Sequence, residues 1–268
     1  MGDRILLDPS APGQAWVAGI QPRRNLLFRS DEQRTKLFAA NLDLVVLVVA
    51  PSPPLSPELV LRTWVACRAA DIPLLLVINK ADLLNPDERL DLQVLHLLPV
   101  DPADAPQTLS ISLLERPEQA ASDLGEQLNG KVSLILGQSG MGKSTLVNLL
   151  VPDAGAQTGE ISEALNSGRH TTTHTRMHML PAGGALVDSP GFQAFGLSHL
   201  KADTLDGVFD WMLRERSNCR FYNCKHVNEP GCGIIAAELA GRLDPAWRSF
   251  YLSLHEETRQ ARKRDLLG

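Results

Sequence analysis

Apolar residues in this chain gather into short runs separated by polar, helix-patterned stretches. Residues 42–50 (LDLVVLVVA), 74–79 (LLLVIN), 108–112 (TLSIS) and 132–137 (VSLILG) are branched-rich and almost continuously hydrophobic. Such runs predict buried parallel strands. Between the first two, Ser56, Pro57 and Glu58 precede VLRTWVACRAA, a serine cap with proline in the first helical position, which predicts a crossover helix. Further helices are expected over 87–98, 118–128 and 143–150. The alternation predicts an α/β fold, a sheet with helices on both faces and ligands at the strand carboxyl ends. Residues 175–180 and 185–188, joined by Pro181-Ala-Gly-Gly, predict a hairpin at the sheet edge.

Outside 39–195 the pattern changes. Beyond about residue 196 it predicts helical stretches around Cys219 to Cys232 and a charged amphipathic helix over 247–267, so 196–268 is read as a small second domain. Residues 1–38 offer two candidate strands, 3–7 and 15–20, too few for an independently stable sheet.

Composition narrows the functional classes. With 268 residues, 44% of them hydrophobic, the chain is long enough for a large core. A formal net charge of -5 argues against wholesale electrostatic wrapping of nucleic acid, though not against a local basic face. No apolar run is long enough to span a membrane, and the first residues do not read as a secretory signal, so a cytoplasmic address is expected. Three of the four cysteines lie close together, which in a reducing compartment points to metal rather than disulfides.

The strongest chemical signal is GQSGMGKS, formed by Gly137, Gln138, Ser139, Gly140, Met141, Gly142, Lys143 and Ser144 between a predicted strand and a predicted helix. That is the context of a phosphate-binding loop. Its glycines let backbone N–H groups turn toward phosphate oxygens, Lys143 reaches the β and γ phosphates, and Ser144 ligates Mg2+. The base is identified by a second element, Asn79, Lys80, Ala81 and Asp82, at a strand end. The Asp82 carboxylate can accept both hydrogen bonds from the N1–H and amine of guanine, a paired donor edge that adenine lacks. Ser110, Ile111 and Ser112 at the next strand end are a further base-side candidate.

Asp188, Ser189, Pro190 and Gly191 end the hairpin, which suits a carboxylate near Mg2+ and an N–H at the γ-phosphate. Between this motif and the phosphate loop, GRHTTTH offers Thr172, with Thr171 next, as the threonine that closes over magnesium. The base-reading elements precede the phosphate loop, which reverses the usual order and makes this a circular permutation. Opening a closed set of strands at a surface connection leaves the set intact. The Asp188 motif then leads directly into the C-terminal segment. There Cys219, Cys224, His226 and Cys232 supply three thiolates and one imidazole, a complete set for one structural Zn2+ with no position open for catalysis. Cys67 has no such partners and is expected to be a small buried hydrophobe.

The permuted order, the GQSGMGKS loop, the GRHTTT segment, DSPGF and the Cys/Cys/His/Cys knuckle together resemble the RsgA family of small-subunit ribosome biogenesis GTPases, over residues 20 to 255. The resemblance implies a GTPase acting in late maturation of the small ribosomal subunit and stimulated by it, using GTP/GDP, Mg2+ and zinc, with the subunit and its rRNA as partners. It also implies that 137–145, including Thr145, hold phosphates. No membrane partner and a monomer are expected. The family's N-terminal OB-fold is a five-stranded barrel, and residues 1–38 here are read as an incomplete remnant with its linker: either the start is truncated or much of an RNA-binding module is lost. Basic candidates for RNA are Arg23, Arg24, Arg29, Arg220, Lys225 and the Arg259, Arg262, Lys263, Arg264 tail, each equally compatible with a solvated face.

After DSPG comes Phe192, not the glutamine that orients water in Ras-like enzymes, so slow unaided hydrolysis is expected. His170 or His174 is the candidate to position water once the ribosome orders the threonine-rich segment; both are equally compatible with ordinary exposed loop residues. Two rival readings are an RNA-binding scaffold that never turns over nucleotide and a permuted GTPase of the large subunit.

Overall fold

The computed structural model describes residues 1–30, 35–85, 87–98, 105–155, 175–189 and 195–267. Its centre is a six-stranded sheet in the order β7-β6-β5-β8-β10-β9, where β5 is Leu44–Val49, β6 Leu74–Ile78, β7 Gln107–Ser110, β8 Val132–Leu136, β9 Arg176–Met179 and β10 Ala185–Asp188. The first five are parallel and β9 runs antiparallel at the edge, as the turn-rich link between β9 and β10 requires. The strand period of two divides the sheet between two cores. Val45, Leu47 and Val49 of β5 join Leu76, Ile78, Leu134 and Leu136 on one face, while Leu44, Val46 and Val48 join Leu75, Val77 and Ile135 on the other.

Helices cover both faces. On the first lie α1 (Pro57–Ala69) and α2 (Leu90–Leu97), and on the second α3 (Pro117–Leu128) and α4 (Lys143–Leu150). The start of α1 follows the expected chemistry: Ser56 Oγ accepts from the Leu59 N–H at 3.3 Å, and Pro57 gives up no hydrogen bond in the first turn. Cys67 is buried among these side chains, and desolvation pushes its thiol pKa up, as expected for a packing residue.

The first core continues without a break into the C-terminal segment, which holds α5 (Ala202–Val208), α6 (Asp210–Glu215), α7 (Gly233–Leu239) and α8 (Pro245–Leu267). Phe209, between α5 and α6, is the hinge pin of that contact. Its ring lies 5.8 Å from Trp64 of α1, 5.6 Å from Trp211 and 5.5 Å from Tyr251 of α8, close enough for edge and tilted aromatic packing. The helical character expected around Cys219 to Cys232 is confined to a 3-10 turn at Arg216–Asn218, after which residues 219–232 form a loop until α7 begins. Pro230 and Gly231 explain this, because Gly231 takes a left-handed conformation and its carbonyl accepts from the Arg220 N–H at 2.9 Å, drawing the loop ends together.

The N-terminal segment contains more strand than the pattern suggested. The two candidate strands expected at 3–7 and 15–20 pair as a hairpin, β1 (Ile5–Ala11) with β2 (Gln14–Ile20), and there is a second hairpin, β3 (Leu26–Ser30) with β4 (Thr35–Ala40). The two behave differently. Trp16, Leu7 and Val17 of the first remain exposed, whereas Leu27, Phe38, Ala39 and Ala40 of the second are buried, most of them in the main core. No described helix is long and apolar enough to cross a membrane.

Candidate functional site: a phosphate loop joined to a base-reading turn

The phosphate loop runs from the end of β8 to the first residue of α4, and its backbone requires glycine at two points. Gly137 has φ 147 and a Cβ there would strike the Val48 carbonyl of β5; Gly142 has φ 100 and a Cβ there would strike the Asn79 amide. Both contacts bring the loop against neighbouring strand ends. Lys143 folds back so that Nζ donates to the Gln138 carbonyl at 2.6 Å. Only 8% of it is exposed, and burial pushes its pKa down to about 8, with Asp188 opposing the shift.

Asp188, the last residue of β10, is also buried. Desolvation raises its pKa, opposed by Lys143, His178 and Arg176. Arg176 is its cross-strand partner on β9. Neither Arg176 nor His178 stood out in the sequence; their alternation on a strand paired with Asp188 was the signal available. Next to Asp188, Ser189 Oγ donates to the Ile135 carbonyl of β8 at 3.0 Å, pinning the start of this motif to the strand that feeds the phosphate loop.

The residues expected to read the base reach the same loop from the end of β6. Asn79 Nδ2 donates to the Met141 carbonyl at 2.9 Å, and its Oδ1 accepts from the Leu113 N–H at 3.2 Å. Lys80, in a left-handed conformation, sends Nζ to the carbonyls of Gly140 at 3.0 Å and Ser52 at 2.8 Å. Asp82 stands in the 3-10 turn Ala81–Leu83 and accepts a hydrogen bond from Ser112 Oγ. Ser112 also caps the next turn by accepting from the Glu115 N–H at 3.2 Å. A hydroxyl donor on one side of the carboxylate fixes its orientation. Ala81 is held by its N–H, which donates to the Ile111 carbonyl at 3.1 Å. Gln138 has a role the sequence did not suggest: Oε1 accepts from the Ser56 N–H at 3.0 Å, tying the phosphate loop to the cap of α1.

The structure therefore brings Asn79, Lys80, Asp82, Ser112, the loop 137–145 and Asp188 to the carboxyl ends of β6, β7, β8 and β10. His170, Thr171, Thr172, His174 and Gly191 lie outside the described residues.

A second constellation forms in the loop between α6 and α7. One ligand atom each from Cys219, Cys224, His226 and Cys232 lies within 4.8 Å of all the others. His226 Nδ1 is 3.6 Å from Cys219 Sγ and 3.4 Å from Cys232 Sγ. A zinc tetrahedron built on ordinary Zn–S and Zn–N lengths has N···S edges of about 3.6 Å, so the four residues fit that ion. The Gly233 N–H donates to Cys219 Sγ at 3.3 Å, which suits a thiolate.

Comparison with known proteins agrees with the geometry. The sequence model of the RsgA GTPase family matches residues 20–198. The chain is 45% identical over 262 residues to the small ribosomal subunit biogenesis GTPase RsgA of Burkholderia pseudomallei (strain 668), covering 97% of this chain and 82% of the relative. It is 46% identical over 263 residues to the protein of the same name from Paraburkholderia phymatum, covering 97% and 81%. Among solved structures it is similar to YjeQ from Thermotoga maritima, with TM-score 0.70, 26% identity, and 96% of this chain and 83% of that one covered. It shares its fold with YloQ, described as a circularly permuted GTPase, at TM-score 0.66 and 23% identity over 97% and 80% of the two chains.

Proposed function

The chain belongs to the RsgA GTPase family, and from that premise we propose that it is a cytoplasmic assembly factor that hydrolyses GTP during late maturation of the small ribosomal subunit, with the subunit stimulating turnover. Asn79 is the observation that carries the reading. One side chain binds both the phosphate loop, at Met141, and the segment that follows the next strand, at Leu113, so base recognition and phosphate binding form one hydrogen-bonded unit.

Asp82, oriented by Ser112, reads the guanine edge, and the backbone of 137–145 with Lys143 receives the phosphates. Phosphoryl transfer to water needs positioning and charge neutralisation more than a covalent nucleophile. Lys143 supplies part of that charge from a desolvated position, where electrostatic interactions are stronger than in water. Mg2+, which the family uses with GTP, supplies Lewis-acid charge neutralisation and would be held by Ser144 and Asp188. Thr172 and Gly191 are assigned to closing over the nucleotide, and His170 or His174 to orienting water. Zn2+ would sit among Cys219, Cys224, His226 and Cys232 as a structural ion that shapes the loop between α6 and α7. The domains proposed are 1–38, 39–195 and 196–268, acting as a monomer that meets small-subunit rRNA.

The test is steady-state GTP turnover by the full chain, alone and with isolated small or large subunits, for wild type, His170→Ala and His174→Ala. Slow intrinsic hydrolysis, stimulation by the small subunit only, and loss of stimulation in one histidine variant are expected. Hydrolysis in no condition would establish a scaffold, and stimulation by the large subunit would move the function there. Undiminished stimulation in both variants would remove the histidine assignment.

A further inference from the structure

Four residues beyond Gly191, the chain that has left the Asp188 motif enters a buried junction of three elements. Phe195 and Leu197 are 1% and 0% exposed. The Leu197 N–H donates to Glu257 Oε1 of α8 at 2.8 Å. Arg62 Nη1 of α1 donates both to the Phe195 carbonyl at 3.3 Å and to Glu257 Oε2 at 2.7 Å. From the other side, Ser30 of β3 donates its N–H to the Gly196 carbonyl at 3.0 Å and accepts from the Ser198 N–H and hydroxyl at 3.2 and 2.8 Å. His199 closes the junction by stacking on Phe28, ring centres 3.9 Å apart.

None of these partners belongs to the nucleotide sheet. They come from the second N-terminal hairpin, from α1 and from the C-terminal helix, with Arg62 and Glu257 195 residues apart in sequence. A backbone N–H bonded to a largely buried carboxylate is held by a charge-assisted bond, stronger and more directional than a bond between neutral groups. α1 also reaches the other side of the site, because its cap residue Ser56 is bonded to Gln138 of the phosphate loop. Arg62 stands six positions further along the same helix, and its Nε donates to Glu58 at 2.8 Å, which fixes the guanidinium on the helix surface. Glu257 thus ties α8 to the backbone at Leu197 and, through Arg62, to an α1 whose cap is bonded to the phosphate loop.

We propose that Arg62 and Glu257 are positioning residues for GTP hydrolysis: they hold the backbone at Phe195 and Leu197, and so make turnover depend on where α8 lies. The proposal rests on the reading that docking to the small subunit stimulates the enzyme, and it names the internal connection through which docking at the C-terminal segment reaches the site. Arg62 and Glu257 bond to Phe195, Leu197 and Glu58 and not to the phosphate loop or the 79–82 turn, so their loss leaves binding of GDP intact while slowing the step that needs the Asp188 motif in place.

The experiment compares wild type, Glu257→Ala, Glu257→Gln and Arg62→Lys in the full chain, measuring kcat and KM for GTP with small subunits present, and GDP affinity without them. Glu257→Ala is expected to lower stimulated kcat by about tenfold, the scale of one lost charge-assisted hydrogen bond, with KM and GDP affinity unchanged. Glu257→Gln keeps an acceptor for the Leu197 N–H and is expected to recover part of the loss. Unchanged kcat in Glu257→Ala, or a parallel fall in kcat and GDP affinity, overturns the proposal, the second because it marks a general folding defect. Should Glu257→Ala not fold, Arg62→Lys decides: an ammonium cannot keep the Arg62 bridging geometry, so kcat falls at constant GDP affinity, and an unchanged kcat overturns the proposal. Wild-type chain that small subunits fail to stimulate would overturn the underlying reading instead, an outcome visible before any variant is compared.

Discussion

The phosphate loop and the Cys/His loop are both short turns that use left-handed residues, Gly137, Gly140 and Gly142 in one and His226 and Gly231 in the other. What holds them differs. The phosphate loop lies between a strand buried over all but its first residue and a helix; side chains from elsewhere clamp it, Asn79 on Met141 and Lys80 on Gly140, and its own Gln138 accepts from the Ser56 N–H. The Cys/His loop has Tyr222 fully in solvent, with Phe221 and Val227 exposed. Its clamps are Arg248, which donates to the His226 and Val227 carbonyls, and Glu229, whose carboxylate accepts from the Lys225, Val227 and Asn228 N–H groups. A loop on a large core is shaped by hydrogen bonds to that core, whereas one with few apolar groups to bury has more to gain from a bound ion such as the proposed zinc.

Removing the proposed zinc is the hardest test of this contrast. A structural zinc contributes on the order of 10–16 kcal/mol in small zinc-dependent folds, more than such a loop can replace. Chelation, or Cys232→Ala, is expected to abolish hydrogen-exchange protection at the Arg220 N–H while GDP affinity stays unchanged. Loss of GDP binding on chelation would show that the two loops stand or fall together.

A smaller effect is expected from Asn79→Ala, which leaves the Met141 carbonyl and the Leu113 N–H without their partner. Unmet buried polar groups cost about 1–3 kcal/mol, so GDP affinity is expected to fall by roughly ten- to a hundredfold with zinc content retained. Titration calorimetry with GDP checks this, and an affinity within about twofold of wild type would mean that the phosphate loop holds its own shape.

The smallest effect concerns charge. With the Lys143 pKa pushed down to about 8 in the nucleotide-free protein, the ammonium is present below that pH and is lost as pH rises through it. An anionic phosphate beside Nζ favours the charged form, so nucleotide binding above pH 8 takes up a proton. GDP affinity is expected to be independent of this group below pH 8 and to fall above it by at most about tenfold per pH unit. Calorimetry in buffers of different ionisation enthalpy reads the proton uptake directly. Lys143→Arg, which does not titrate in this range, should remove it, and a proton count that persists in this variant would assign the effect to another group.

Much of the site was legible because its residues are contiguous. The loop 137–144 and the quartet 79–82 each follow an apolar run, and a strand followed by glycines or by a polar turn is a local pattern. The four metal ligands span only fourteen positions, Cys219 to Cys232, in a stretch with turn-forming Pro230 and Gly231. The second N-terminal hairpin was less visible. Leu26–Ser30 and Thr35–Ala40 are short, mixed in polarity and separated by four polar residues, a pattern that a linker shares. Two apolar segments around a polar quartet were the signal for a hairpin. Its burial depends on Leu27 and Phe38 reaching a core made by residues far along the chain.

By itself the sequence determined the α/β layering, the permuted order of the motifs, the phosphate loop and the metal-ligand set, since each rests on local periodicity or on residues a few positions apart. Only the tertiary structure decided that Asn79 reaches Met141, that Ser112 bonds Asp82, that one core runs from β5 through Trp64 into α8, and that Arg62 and Glu257 meet at Leu197. Those contacts join residues 30 to 195 positions apart. Side-chain reach and the closing of long loops determine them, and neither leaves a periodic trace in the order of the amino acids.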